Sequence, residues 1–249
     1  MRERTAFLKP IAHRGLHTPA NGLVENSAAA FEAAITKGYG VEADVRPSAC
    51  STPMIFHDDT LERLIEGRDA VRAHDATVLK SFKYRGDPSP MIDFAELLEL
   101  VDGREPVLAE IKSDWEPPDV PFLQSVAKLA AGYDGPIALM SYDPAVIAVV
   151  KELAPQIPRG IVSGLYEVLE HWHGRLEPER AFRLSHLLES RDAAPDFYAY
   201  HVESLPTPVT RFVREIVGLP FFAWTVRTPE DREIAARWAD AAIFEDYEP

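Results

Sequence analysis

One cysteine occurs in the 249 residues, Cys50, which excludes an intramolecular disulfide and a cysteine-built metal centre. No run of about 18 apolar residues is present, so nothing reads as a membrane span. The stretch Met1–Pro10 has no apolar core of the kind a secretory signal carries. Basic residues are few relative to acidic ones: 26 Lys+Arg against 40 Asp+Glu leave a formal charge of −14. Such a surface disfavours nucleic acid and anionic membrane as main partners. It also makes any anionic ligand depend on a locally positive site. Internal repeats and low-complexity tracts are missing, and no glycine-rich nucleotide loop follows the first apolar run. What remains is ordinary for a soluble domain, 46% hydrophobic and 27% charged, and long enough to bury one large core. We therefore expect a single domain over residues 1–249, cytoplasmic, with no stable membrane insertion; the oligomeric state is not legible.

Strand-like and helix-like segments alternate along the chain. The strand candidates are 11–14, 41–46, 107–111, 137–141, 160–163, 197–202, 221–226 and 241–244. Amphipathic helices are expected between them, for example at 27–37, 122–131 and 145–153. In the first of these Ala30, Phe31, Ala34 and Ile35 share a face, and Gly38 stops the helix. Asp143-Pro144, Thr207-Pro208 and Thr228-Pro229 each set a capping oxygen before a proline suited to a first helical turn. Strand–helix alternation of this kind implies a parallel sheet. Eight strands in this length give the α/β class and a (β/α)8 TIM barrel. An open doubly wound sheet is the competing fold.

A ninth apolar run, Met54–Phe56, follows the second strand too closely for a parallel crossover, so the two form a hairpin. With the turn centred near Ala49-Cys50, paired residue numbers add to 99, and Glu42 stands opposite His57. Residues 58–90 are charged and irregular, carrying Arg63, Arg68, Arg72 and Arg85, and read as a small excursion over the barrel mouth.

Ionisable residues cluster where apolar runs end: His13-Arg14-Gly15, Glu42-Ala43-Asp44, His57-Asp58 and Glu110-Ile111-Lys112. Glu42 and Asp44 are two apart on a strand and so share a face. With Glu110 they make three oxygen donors, which repel one another unless a cation or protons intervene. Hard oxygen donors without cysteine favour one divalent cation, Mg²⁺ or Ca²⁺, over Zn²⁺. Taken singly, each acid is as well explained as a solvated strand-end residue; the trio is not. Imidazoles exchange protons near neutrality, which makes His13 and His57 an acid–base pair. Such a pair supplies about 10²–10⁴-fold, and enzymes commonly reach 10⁶–10¹⁷-fold. The metal, with Arg14 and Lys112 on the oxygens of a phosphate, must supply much of the rest. Gly15 allows a sharp turn, and Trp224 is a candidate pocket wall. His171-Trp172-His173 has an H-x-H spacing but lies in a helix-like stretch, where such residues do not face one another. His17, His74, His186 and His201 have no motif around them, and the alternating Tyr198 and Tyr200 read as core.

With these clusters in place, the chain resembles the glycerophosphodiester phosphodiesterase family. The resemblance rests on His13-Arg14-Gly15, Glu25-Asn26, Glu42-Ala43-Asp44-Val45, His57-Asp58, Glu110-Ile111-Lys112, Trp224-Thr225-Val226 and the acidic close Glu245-Asp246, and spans about residues 11–247. It implies a TIM barrel with one divalent metal on Glu42, Asp44 and Glu110. It implies His13 and His57 as general acid and base, Arg14 and Lys112 on the phosphate, and cleavage of glycerophosphodiesters to glycerol 3-phosphate and an alcohol. Direct attack by water and attack by a substrate hydroxyl, giving a cyclic phosphate, both remain open. So do a lysophospholipase D or sphingomyelinase D-like activity on lipid head groups, and a catalytically silent metabolite-binding barrel. Two positions depart from the family pattern: Ala49-Cys50-Ser51 at the hairpin tip, and Arg227, where asparagine is usual after Trp-Thr-Val.

Overall fold

The computed structural model describes residues 5–18, 22–168 and 176–249. Its strands in chain order are β1 (Ile11–Ala12), β2 (Gly40–Pro47), β3 (Pro53–Ile55), β4 (Lys83–Tyr84), β5 (Asp87–Pro90), β6 (Val107–Ile111), β7 (Ile137–Ser141), β8 (Arg159–Ser163), β9 (Phe197–His201), β10 (Phe221–Val226) and β11 (Ala241–Phe244). β1, β2 and β6–β11 are the strands expected from sequence. They run parallel in the order β1-β11-β10-β9-β8-β7-β6-β2, and β1 pairs again with β2 to close the ring. The fold is a TIM barrel, not an open sheet.

Alternation along each strand separates two cores. Val41, Ala43 and Val45 of β2, with Val107, Ala109 and Ile111 of β6, join the apolar layer under the helices. Leu108, Met140, Val162, Ala199, Phe222 and Ile243 fill the barrel interior, where Phe7 joins them. By the same parity Glu42, Asp44 and Glu110 point inward. The register sets Glu42 beside Leu108 and Asp44 beside Glu110, so the carboxylates form the layer just above the apolar plug. Tyr198 and Tyr200 are core residues, as expected.

The helices start where the capping signals fall. Ser27 accepts from the Ala30 amide ahead of α1 (Ala28–Thr36), and Asp119 caps α2 (Val120–Ala131), a helix that begins two residues before its expected start. Asp143 caps α3 (Pro144–Leu153) and Thr228 caps α4 (Pro229–Trp238), each with proline in the first turn. Thr207 caps only the short Pro208–Arg211 helix, which continues as a π-helical turn over Phe212–Val217. Among the described residues no helix is long and apolar enough to cross a membrane.

The hairpin exists, with a different register. Val45 pairs with Ile55 and Arg46 with Met54, so paired numbers add to 100 rather than 99. The tip holds three residues, closed by the Ser48 amide on the Thr52 carbonyl at 3.0 Å, and Ser51 takes a left-handed φ of 59°. Asp44 therefore faces Phe56, whose amide donates to its carbonyl at 3.0 Å. His57 leaves the ladder one residue later, so it does not stand across from Glu42. Arg46 fixes that exit by donating from Nε to the His57 carbonyl at 2.6 Å.

Residues 58–90 are short elements around a core of their own. A 3₁₀ turn (Val71–Ala73), one helical turn (Ala76–Leu79) and the β4–β5 hairpin enclose Leu61, Ile65, Val71, Leu79 and Tyr84. Met54 and Phe56, from the hairpin that carries His57, pack into the same cluster.

Gly15 ties the first site loop to α1. Its φ is +79°, and a Cβ there would lie 2.7 Å from the Ala30 carbonyl carbon and 2.9 Å from the Phe31 nitrogen. Those neighbours are backbone and cannot step aside. Gly15→Ala is expected to cost about 2–4 kcal/mol in a denaturant titration, from strain and overpacking together. A loss below about 0.5 kcal/mol would show that the loop relaxes freely.

Candidate active site

Glu42, Asp44 and Glu110 are buried, and one oxygen of each lies within 4.8 Å of the others. Burial pushes the Glu42 carboxyl well above the usual range, and the charges of Asp44 and Glu110 add to the rise. Burial acts the same way on Asp44, but Lys112 and Arg14 outweigh it and hold Asp44 well below its ordinary value. Glu42 Oε1 is buried and accepts no hydrogen bond. An orphaned carboxylate oxygen, set among hard oxygen donors, fits a divalent cation.

Two cations stand against the trio. The Arg14 amide donates to Glu42 Oε2 at 2.9 Å, and its guanidinium reaches Asp44 Oδ2 (Nε, 3.0 Å) and Glu25 Oε1 (Nη1, 2.8 Å). The residue holds a left-handed φ of 56°, which aims both backbone and side chain at the acids. Lys112 Nζ lies 2.7 Å from Asp44 Oδ1 and also donates to Glu110. Asn26 completes the shell of Asp44, donating from Nδ2 to Oδ2 at 2.7 Å and accepting from the Asp44 amide at 3.2 Å. The charge count of Arg14, Lys112 and the three carboxylates is +2 − 3 = −1. A divalent ion turns that to +1, the sign a phosphodiester monoanion needs.

Each histidine has its Nδ1 on a carboxylate. His13 Nδ1 is 2.5 Å from Glu245 Oε2, and its Nε2 is 4.0 Å from Glu42 Oε2. Burial, with the Arg14 charge, lowers the His13 pKa to about 4. Burial opposes ionisation of Glu245, but the hydrogen bond from His13 prevails and brings it to about 2. His57 Nδ1 is 2.7 Å from Asp58 Oδ1, and Arg63 grips that carboxylate from Nε at 2.5 Å and Nη2 at 3.0 Å. Arg63 also spans to Glu25 at 2.8 and 2.7 Å, and so links the excursion to the Arg14 side of the mouth. In both pairs the carboxylate favours the tautomer with its proton on Nδ1, which leaves a lone pair on Nε2.

Trp224 lies within β10, its ring 5.0 Å from that of His201 and 5.4 Å from that of Tyr142; its Nε1 is buried without an acceptor. Arg227 does not stand free at the rim. Its Nη2 meets Glu245 Oε2 at 2.9 Å, and its Nε is 3.7 Å from Asp246 Oδ2, so its charge is absorbed by the acidic close of the chain. His171-Trp172-His173 lies outside the described residues. Glu245, Asp58, Arg63 and Asn26 are the site residues that sequence reasoning left without a role. The signal for the first was an acidic residue directly after the last strand.

The Glycerophosphoryl diester phosphodiesterase family matches residues 13–248. A curated glycerophosphodiester phosphodiesterase of Caldanaerobacter subterraneus subsp. tengcongensis is 24% identical over 254 aligned positions, covering 96% of this chain and 94% of that protein. Among solved structures, a phosphodiesterase of Oleispira antarctica in complex with the product sn-glycerol-3-phosphate superposes with a TM-score of 0.76 at 21% identity, covering 98% of this chain and 95% of that one. A glycerophosphodiester phosphodiesterase of Thermotoga maritima does so with a TM-score of 0.70 at 21% identity, covering 95% and 93%.

Proposed function

The chain belongs to the glycerophosphoryl diester phosphodiesterase family, and from that premise we propose that it hydrolyses small glycerophosphodiesters to glycerol 3-phosphate and an alcohol with one divalent cation. The observation that carries the reading is the buried carboxylate trio, one negative charge in excess, with Glu42 Oε1 left unpartnered. Glu42, Asp44 and Glu110 would hold Mg²⁺ or Ca²⁺, both suited to oxygen donors. Such an ion, when bound, neutralises phosphate oxygens and polarises the phosphorus centre.

The protein's own groups do the rest. Arg14 and Lys112 already lie against the carboxylates and turn to the non-bridging oxygens of the diester, orienting it. His13 and His57 move protons at Nε2: one takes the proton of the attacking hydroxyl, the other delivers a proton to the departing alcohol oxygen. Water and a neighbouring substrate hydroxyl make the same demand on this pair, so either route runs on the same residues. Trp224 walls the pocket with its ring face. The Oleispira relative's product, sn-glycerol-3-phosphate, is the product proposed here.

Glycerophosphocholine, glycerophosphoethanolamine and a lysophospholipid are the substrates to compare, each with Mg²⁺, with Ca²⁺ and with a chelator. The expected result is release of glycerol 3-phosphate from the first two, stopped by the chelator and restored by either ion. Turnover that ignores the chelator would remove the metal, and absence of turnover on every diester would overturn the activity.

A further inference from the structure

A second set of donors adjoins the carboxylate trio. His13, His17 and Glu245 each offer one ligand atom, all within 4.8 Å of one another. Glu245 Oε2 is taken by His13 Nδ1 at 2.5 Å and Arg227 Nη2 at 2.9 Å. The other oxygen, Oε1, faces His17 Nε2 at 3.9 Å. That gap is too long for a hydrogen bond, and His17 Nε2 is buried with no hydrogen-bond partner. Two ligands of a tetrahedral ion at about 2.0–2.1 Å stand about 3.4 Å apart, so the pair needs to close by only about half an ångström to share one. Two imidazoles and a carboxylate form a softer set than the neighbouring trio, one that suits Zn²⁺ better than Mg²⁺ or Ca²⁺.

We propose that His13, His17 and Glu245 form a second cation site, selective for Zn²⁺ over Mg²⁺, and that filling it inhibits the phosphodiesterase. The inhibitory part rests on the reading of His13 as one of the acid–base pair. In the resting site the His13 proton is on Nδ1, against Glu245, and the Nε2 lone pair is free. Zn²⁺ bound at Nδ1 displaces that proton, and Nε2 takes one up in its place, so the ring stays neutral with no net proton released. A ring metallated on Nδ1 and protonated on Nε2 has no lone pair left to accept a proton. Arg227 does not block entry: it is 44% exposed and retains Asp246 when it yields Glu245.

The test titrates Zn²⁺ into the Mg²⁺-saturated full chain and its His17→Gln and His17→Asn variants. Equilibrium dialysis is read alongside turnover. One Zn²⁺ is expected to bind the Mg²⁺-loaded protein and to lower kcat at least tenfold. Both His17 variants are expected to keep the zinc-free turnover while needing at least tenfold more Zn²⁺ for the same inhibition. Co²⁺ in place of Zn²⁺ is expected to give a visible absorption band that Glu110→Gln keeps and His17→Gln loses. Inhibition unchanged in the His17 variants and relieved by excess Mg²⁺ would put the ion on the carboxylate trio and overturn the proposal. Absence of Zn²⁺ binding to the Mg²⁺-loaded protein would also overturn it. Dialysis and the Co²⁺ band decide the site even if no diester is hydrolysed, so a failure of the activity is told apart from a failure of the site.

Discussion

Glu42→Gln is expected to silence diester hydrolysis while raising the melting temperature of the cation-free protein. The two effects have one source. Three buried carboxylates lie within 4.8 Å of one another, and Lys112 and Arg14 leave one negative charge unbalanced. At an effective dielectric constant of about 20, two unit charges at that spacing repel by about 3 kcal/mol. Part of that is relieved when Glu42 holds a proton, which its raised pKa favours. Glutamine keeps an oxygen for the Arg14 amide and removes the charge. A gain of about 1–2 kcal/mol in the absence of metal follows. The same change removes a cation ligand. The wild type is expected to gain about 2.7 kcal/mol in the presence of cation at 100 times its Kd, and the variant to gain little. Turnover should fall at least 10³-fold, about 4 kcal/mol of barrier. A variant that melts lower than the wild type without metal would show that Glu42 is held by attraction. One that keeps turnover within tenfold would show that the ion is not held there.

His13→Ala and His57→Ala are each expected to lower kcat by about 10²–10⁴-fold with little change in KM, because proton transfer belongs to the transition state rather than to binding. The double variant should lose far less than the product of the two, since the residues act as one unit. A p-nitrophenyl diester separates the roles. Its leaving group needs no proton, so the variant lacking the acid recovers on it and the variant lacking the base does not. Loss of less than tenfold at either histidine, on a natural diester, would remove that residue from the pair.

Most of the barrel was legible because parallel strands buried on both sides leave short apolar runs, and because aspartate or threonine before proline marks helix starts at Asp143, Thr207 and Thr228. That Glu42 and Asp44 share a face followed from strand parity alone; that Glu110 joins them is placed by the β2–β6 register. The hairpin register was missed by one because three residues, not two, make its tip, and Ser51 adopts a left-handed conformation without being glycine. The core of the excursion was missed because, beyond the Leu61–Ile65 pair, its residues Val71, Leu79 and Tyr84 sustain neither a helical nor a strand period. Glu245 was missed for another reason: its meaning lies in its contact with His13, 232 positions away in sequence. Arg227 shows the same limit from the other side. Its departure from the family pattern was visible, but its ion pairs with Glu245 and Asp246, which settle where its charge goes, were not.

The ring of strands closes through β1, two residues long, which must pair with β11 on one side and β2 on the other. His13 follows β1 directly, and its holder Glu245 lies 232 positions further on. During synthesis at about 5–20 residues per second, the two are separated by roughly 10–50 seconds of translation. Until then β1 has one neighbour, the inward carboxylates have no closed wall around them, and the His13 ring has nothing on its Nδ1. Nascent chains on the ribosome are therefore born without a working site, and activity arrives with the last strand.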